Sequence, residues 1–331
     1  MKTLIIAEAG VNHNGSLKLG EKLIDAAKRA GADCIKFQTY KANELTTIKA
    51  KRFWNWEGEE KKNGTQHDSY SILDKFNFNE YFYLFNYCKK KKIEFQSTPF
   101  DINSLKILEK IGVKTYKIAS CDITNYLLLE AIAKTKKPIF LSTGASNFIE
   151  IKNAVKLISK YNKKIVIMHC VLCYPTKNEN ANLKSITYLK KKFPKIPIGL
   201  SDHTLGTLSP IVATSLGSVC TEKHFTINKN LLKSADHWLS INESELAEMI
   251  KNIKLTHASL GNETKVALKC ETLTRKNARR SLVANKKITK GDSFTFENLT
   301  TKRPGTGISA NKYFKYLGKK SKKNYNYDDL I

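Results

Sequence analysis

A chain of 331 residues buries a large core, and one long domain plus a small one is its natural division. Its 57 basic residues outnumber 30 acidic ones, but the lysines fall in short runs, at 89–92, 190–192 and 319–323, where helices are expected to end. Such runs are solvated helix termini rather than a nucleic-acid face, and the surplus charge favours anionic small molecules instead.

The first apolar run, in MKTLIIAEAG, stops at Glu8, too short for a signal peptide or a spanning helix. It reads as a strand, and no membrane partner is expected. Further strands are predicted at residues 34–38, 94–97, 115–119, 139–142, 165–169, 198–201 and 219–222, after the first at 4–7. Helical spacing of apolar residues marks 17–30, 104–111, 151–159 and 243–257 among the segments between them. Eight strand–helix pairs within residues 1–258 are the arithmetic of a TIM (β/α)8 barrel. A doubly wound sheet is the alternative, because periodicity does not show closure. The connection from Thr39 to Phe78 is abnormally long and rich in aromatics and charge, which marks it as functional or as a bare surface insertion.

After His257 the pattern weakens. Residues 259–277 read as a linker, and 278–331 as a small β-rich domain whose thin core must dock on something. The seven cysteines, an odd number scattered mostly in apolar runs, suit buried thiols in a reducing cytoplasm. Cys170 and Cys173 have the spacing of a metal or redox motif but no second pair to complete it.

Nearly every predicted strand ends in polar residues, on the edge where barrel enzymes keep their chemistry. Strand one leads to Glu8, Asn12, His13 and Asn14, strand two to Lys36 and Gln38, and strand three to Ser97, Thr98 and Asp101. Strand four offers Lys117 and Ser120, strand five Ser142 and Thr143, and strand six His169 and Tyr174. Strands seven and eight end at His203 and His224, 21 residues apart, one strand–helix–strand step. As neighbours they place two imidazoles side by side for a divalent ion, with Asp202, Glu222 and Asp236 nearby. A lysine inside a barrel is costly to bury unless it meets an anion. Lys36 and Lys117, with hydroxyls from Thr98, Ser120 and Ser142, describe a pocket for a phosphate- and carboxylate-bearing molecule; snorkelling or Schiff-base chemistry are the other roles open to either lysine.

The segments AEAGVNHNGS, IKFQTY, STPFD, YKIAS, LSTG, GLSDHT, EKHFT and KRPGTGIS together resemble the bacterial sialic acid synthase family over nearly the whole chain. The resemblance implies a TIM barrel followed by a small antifreeze-like (SAF) domain. It implies condensation of phosphoenolpyruvate with an N-acylated mannosamine-type sugar, releasing phosphate. His203 and His224 match the ligands of a divalent metal, most often Mn2+, with Mg2+ or Co2+ as alternatives. Lys36, Thr98, Lys117, Ser120 and Ser142 match the phosphoenolpyruvate contacts. Glu8, Gln38, Tyr174 and Asp236 match residues around the sugar and a bound water, with Glu8 and Asp236 as the candidate proton carriers. Arg303 matches an arginine that the SAF domain, as a lid, inserts into the partner's barrel in a domain-swapped homodimer. Where many members carry Asn two residues before the tyrosine of strand six, this chain has Leu172. N-acetylmannosamine, giving N-acetylneuraminate, is the first substrate expected, a legionaminate precursor the second and a pseudaminate precursor the third. Outside this class stand a basic nucleic-acid-binding protein and a catalytically silent barrel scaffold.

Overall fold

Eight short strands, each fed by a polar turn and followed by helix, pair in sequence order and close on themselves in the computed structural model, which describes residues 2–54 and 64–331. They are β1 (Leu4–Gly10), β2 (Cys34–Thr39), β3 (Glu94–Pro99), β4 (Tyr116–Ile118), β5 (Ile139–Ser142), β6 (Ile165–Cys170), β7 (Ile198–Asp202) and β8 (Cys220–His224). Every pairing is parallel, and the β1–β8 pairing closes the barrel. The expected TIM barrel is therefore observed, and the open doubly wound sheet is not. Several strands run one to three residues beyond their apolar segments, because ladder bonding continues into the polar ends.

The helices form where apolar spacing and caps agree. Leu17–Ala30 starts on Ser16, whose hydroxyl accepts the Leu19 N–H, and stops at Gly31 in the left-handed region. Its Leu23, Ile24, Ala26 and Ala27 are buried against the barrel wall. Lysines 89–91 and 190–192 occupy last helical turns, as their composition predicts. Residues 319–323 depart from that expectation: they follow the short helix Tyr313–Tyr316 and include a bridge between Ser293 and Lys320.

Strand alternation divides the barrel interior into layers. Ile6, Cys34, Phe140, Met168 and Cys220, with Leu4, Val166 and Val219, pack as one apolar cluster at the lower end. Two residues further along, the inward positions are Glu8, Lys36, Lys117, Ser142, Cys170, Ser201 and Glu222, all buried. The outward positions join the helices in the main core.

The contacts divide the chain into two units, residues 1–261 and 262–331. Within the second, β9 (Ser281–Ala284) pairs antiparallel with β10 (Leu299–Lys302) over a small core of Leu282, Ile288, Phe294, Leu299 and Ile331. Regular strand among its described residues is confined to these two; single bridges such as Ile288 to Tyr325 supply the rest. The segment read as a linker is partly helical: Glu243–Leu260, capped by the Asn242 and Glu245 box, runs into it, and Thr272–Ala278 covers its end. Of the aromatic insert in the β2 connection, residues 55–63 lie outside the described residues. Its described part forms an aromatic ladder, with Tyr40 edge-on to Tyr70 and to Phe100. Among the described residues no helix is long and apolar enough to cross a membrane. All seven cysteines are free, as expected; Cys34, Cys88, Cys170 and Cys220 are buried, whereas Cys121, Cys173 and Cys270 are exposed.

Candidate active site

The upper layer of the barrel places four charges in a dry interior. Glu8, Lys36, Lys117 and Glu222 are each at most 5% exposed. Lys36 Nζ lies 2.7 Å from Glu8 Oε2 and 3.8 Å from Glu222 Oε2, and it donates to Thr98 Oγ1 at 3.1 Å. Lys117 Nζ donates to Glu222 Oε1 at 3.1 Å, where the Ser201 hydroxyl also arrives at 3.0 Å. Gln38 Nε2 donates to Glu8 Oε1 at 3.0 Å. Two acids and two bases balance, which is what lets them remain buried.

The environment separates the two carboxyls. Burial dominates at Glu8 and, with the Glu222 charge, outweighs Lys36 and raises its pKa to about 7. Glu222 is buried as deeply, but Lys117 and Lys36 outweigh that cost and hold it well below the carboxylate range. Burial pulls Lys36 down, and Glu222 and Glu8 more than restore it. One carboxyl near neutrality beside one that stays ionised is an arrangement suited to proton transfer.

Above this layer stand the two imidazoles, with ring centroids 5.5 Å apart. His203 Nδ1 donates to the Val171 carbonyl at 2.8 Å, which in the neutral imidazole puts the lone pair on Nε2. Burial lowers the His203 pKa, but Cys170 and the Val171 carbonyl outweigh it and raise it. Burial keeps His224 neutral, down to about 4, and among the described residues its buried Nδ1 has no hydrogen-bond partner, with Asp236 Oδ2 3.7 Å away. A buried, orphaned imidazole nitrogen beside a second imidazole with a free nitrogen is the donor set of a borderline divalent ion. Among the described residues no group of three or more His, Cys, Asp or Glu could hold a metal, so the protein would supply two ligands and leave the other positions open. The Tyr174 ring lies tilted against His203, at 4.1 Å between centroids.

Asp236 belongs to the same mouth. A side chain at Gly10 would meet Gln38 Nε2 at 3.2 Å, Glu8 Oε1 at 3.3 Å and Asp236 Oδ2 at 3.7 Å, so the bare glycine is what lets these three groups converge. The loop carrying Asp236 is held by β1: Asn12 donates to the Phe225 carbonyl and to Ser240 Oγ, and the Ser240 hydroxyl donates to the Asp236 carbonyl at 2.6 Å. Ser120 Oγ accepts the Gly144 N–H, and the Ser142 hydroxyl is buried without a partner among the described residues. The barrel thus brings together Glu8, Lys36, Gln38, Thr98, Lys117, Ser120, Ser142, Tyr174, His203, His224 and Asp236. Arg303 lies exposed in the second unit.

Other polar strand ends face away. His169 bonds the Ala181 carbonyl, Ser97 pairs with Thr39, and Asp101 caps the helix Ile102–Ile111. Asp202, expected beside the histidines, is out of phase with them and pairs with Lys223 on the outer face. Ser201 received no role in the sequence reading, and Glu222, expected beside the histidines, lies instead against Lys117 and Lys36. The signal was there in β8, where Cys220, Glu222 and His224 alternate onto one face.

The NeuB family model matches residues 23–265, and the SAF domain model matches residues 279–331. The chain is 42% identical over 335 residues to the N,N'-diacetyllegionaminic acid synthase of Campylobacter jejuni, spanning 100% of this chain and 99% of that protein. It is 34% identical over 331 residues to the pseudaminic acid synthase of the same species, spanning 100% and 95%. A solved N-acetylneuraminic acid synthetase from Leptospira borgpetersenii superposes with a TM-score of 0.73 at 36% identity, covering 83% of this chain and 90% of that one.

Proposed function

This chain belongs to the NeuB family, and from that premise we propose that it condenses phosphoenolpyruvate with the open-chain aldehyde of an N-acylated amino sugar. The product is a nine-carbon 2-keto acid, with phosphate released. The observation that carries this reading is the buried layer of two lysines and two glutamates facing two imidazoles across one barrel mouth.

In this reading Lys36 and Lys117 hold the phosphate and carboxylate of phosphoenolpyruvate, so their main contribution is positioning. Thr98, Ser120 and Ser142 add hydroxyls to the same anion. A divalent ion held by His203 and His224, with manganese the first choice, supplies Lewis acidity toward the sugar aldehyde. The C3 methylene bonds to the sugar's C1, water oxygen adds at C2, and the C2–O bond to phosphate breaks. Glu222, kept ionised, faces the positive charge that develops at C2. Glu8, near neutrality and fixed by Gln38, moves the proton of the water, with Asp236 beside it. Arg303 completes the sugar site from the partner chain of a homodimer.

The preferred sugar is 2,4-diacetamido-2,4,6-trideoxymannose, giving N,N'-diacetyllegionaminate. The support is the 42% identity to a synthase of that name across almost its full length. N-acetylmannosamine is the second reading, on the likeness to the Leptospira synthetase. Mass spectrometry of products from phosphoenolpyruvate with each sugar separates them. A nine-carbon product from N-acetylmannosamine alone overturns the preference, and no product with any acylamino sugar overturns the class.

A further inference from the structure

Two buried charges outside the chemistry lie next to both candidate metal ligands. Asp202 and Lys223 form the last paired rung of β7 and β8, and His203 and His224 are the residues that follow. Lys223 Nζ lies 2.6 Å from Asp202 Oδ2, with side chains 1% and 3% exposed. The same ammonium donates to the Thr204 carbonyl. Residues 202 and 204 are therefore tied to one nitrogen with His203 between them, and that nitrogen belongs to the residue before His224. The Asp202 carboxylate also accepts the Thr204 N–H at 3.0 Å, and the Thr204 hydroxyl lies 3.0 Å from it and 3.1 Å from Ser209 Oγ. Being one residue out of phase with the histidines, neither charge points into the barrel.

We infer that Asp202 and Lys223 are positioning residues, a clamp on the outer face of the barrel that sets how the two imidazoles are held relative to each other for the metal. A buried ion pair is weak support for stability, since apolar replacements of similar volume do as well, but it fixes geometry. Groups behind metal ligands tune affinity in the same way. The inference rests on the reading of His203 and His224 as the metal pair.

The test is Mn2+ binding to the full chain, by titration calorimetry and by the electron paramagnetic resonance of bound Mn2+, with melting curves run alongside. The variants are Asp202→Asn with Lys223→Met, which removes both charges and strands neither, and His203→Ala. Arg29→Met is the control, because it breaks the exposed pair with Glu243 between two outer helices. The folded double variant binds Mn2+ about 10- to 100-fold more weakly with an altered resonance, while Arg29→Met binds like wild type. A folded double variant that binds within about threefold of wild type, with an unchanged spectrum, overturns the clamp. If the double variant does not fold, Asp202→Asn with Lys223→Gln, which keeps an acceptor for the Thr204 N–H and a donor at 223 without either charge, carries the same comparison. If His203→Ala binds as tightly as wild type, the metal pair itself is wrong, and the clamp falls with it.

Discussion

Two layers of one barrel, two residues apart on the same strands, obey opposite rules. The lower is Ile6, Cys34, Phe140, Met168 and Cys220, an apolar plug. The upper places Glu8, Lys36, Lys117 and Glu222 in the same dry interior. A charge in such a place costs several kcal/mol unless it is paired, so the upper layer persists through mutual neutralisation. The lower layer needs only volume and packing density. The contrast sets stability in the first against the proposed chemistry in the second and at the mouth above it, and each variant below loads one side of that contrast.

The largest effect belongs at the mouth. His203→Ala or His224→Ala removes a candidate metal ligand but little core, and Lewis acidity worth several kcal/mol corresponds to about a thousandfold in turnover. Steady-state kinetics beside a melting curve checks that activity falls while the melting temperature holds. Phe140→Ala does the reverse: it opens a cavity in the lower layer, costs about 3 kcal/mol or more in denaturant unfolding, and leaves turnover per folded molecule near wild type. If Phe140→Ala lost turnover as His203→Ala does, the layers would not be separable.

Lys36→Met sharpens the upper layer. It removes a charge-assisted contact to the anion and raises the KM for phosphoenolpyruvate by about 100-fold, with a smaller effect on the KM for the sugar. Equal changes in both would move the anion site elsewhere.

The smallest predicted effect is a pH dependence. With its pKa raised from 4.5 to about 7, Glu8 binds its proton more tightly in the folded chain than in the unfolded one. Between those values the folded state holds more protons, so this group's contribution to stability declines as pH rises through the window and is constant above it. Glu8→Gln mimics the protonated form and lacks the decline. Relative to wild type it gains about 2 kcal/mol between pH 5 and 7, read from urea unfolding at each pH. A difference that stays flat with pH would place the Glu8 pKa in the ordinary range.

Much of this contrast was legible in the sequence. The eight strands show as apolar runs at βα spacing, and the polar residues that end them mark the catalytic edge, because burying Glu8, Lys36 or Lys117 inside a strand demands a partner. Partner choice was not legible. Lys36 and Lys117 read as awaiting an anion, whereas the structure pairs them with Glu8 and Glu222. Asp202 read as a metal companion because it adjoins His203, but a one-residue phase difference turns it outward to Lys223, a contact between strands that neither segment reveals alone. The segment 259–277 was read as a linker because its polar composition hides the end of one capped helix and a second, short one. That Arg303 serves the barrel of a partner chain is a proposal that neither unit reveals by itself. Mixed dimers of Arg303→Ala and His203→Ala chains test it, since one site in two regains activity only if the arginine acts across the dimer.

The central claim, that the charged layer and the histidine pair together make a metal-assisted phosphoenolpyruvate condensation site, is met most directly by phosphate release. Chelator-stripped protein is given phosphoenolpyruvate and 2,4-diacetamido-2,4,6-trideoxymannose, and phosphate is followed before and after Mn2+ is added. The account predicts release only after the metal is restored, only with the sugar present, and in neither case from His203→Ala. Full turnover by the stripped protein, or release that His203→Ala matches, would contradict it.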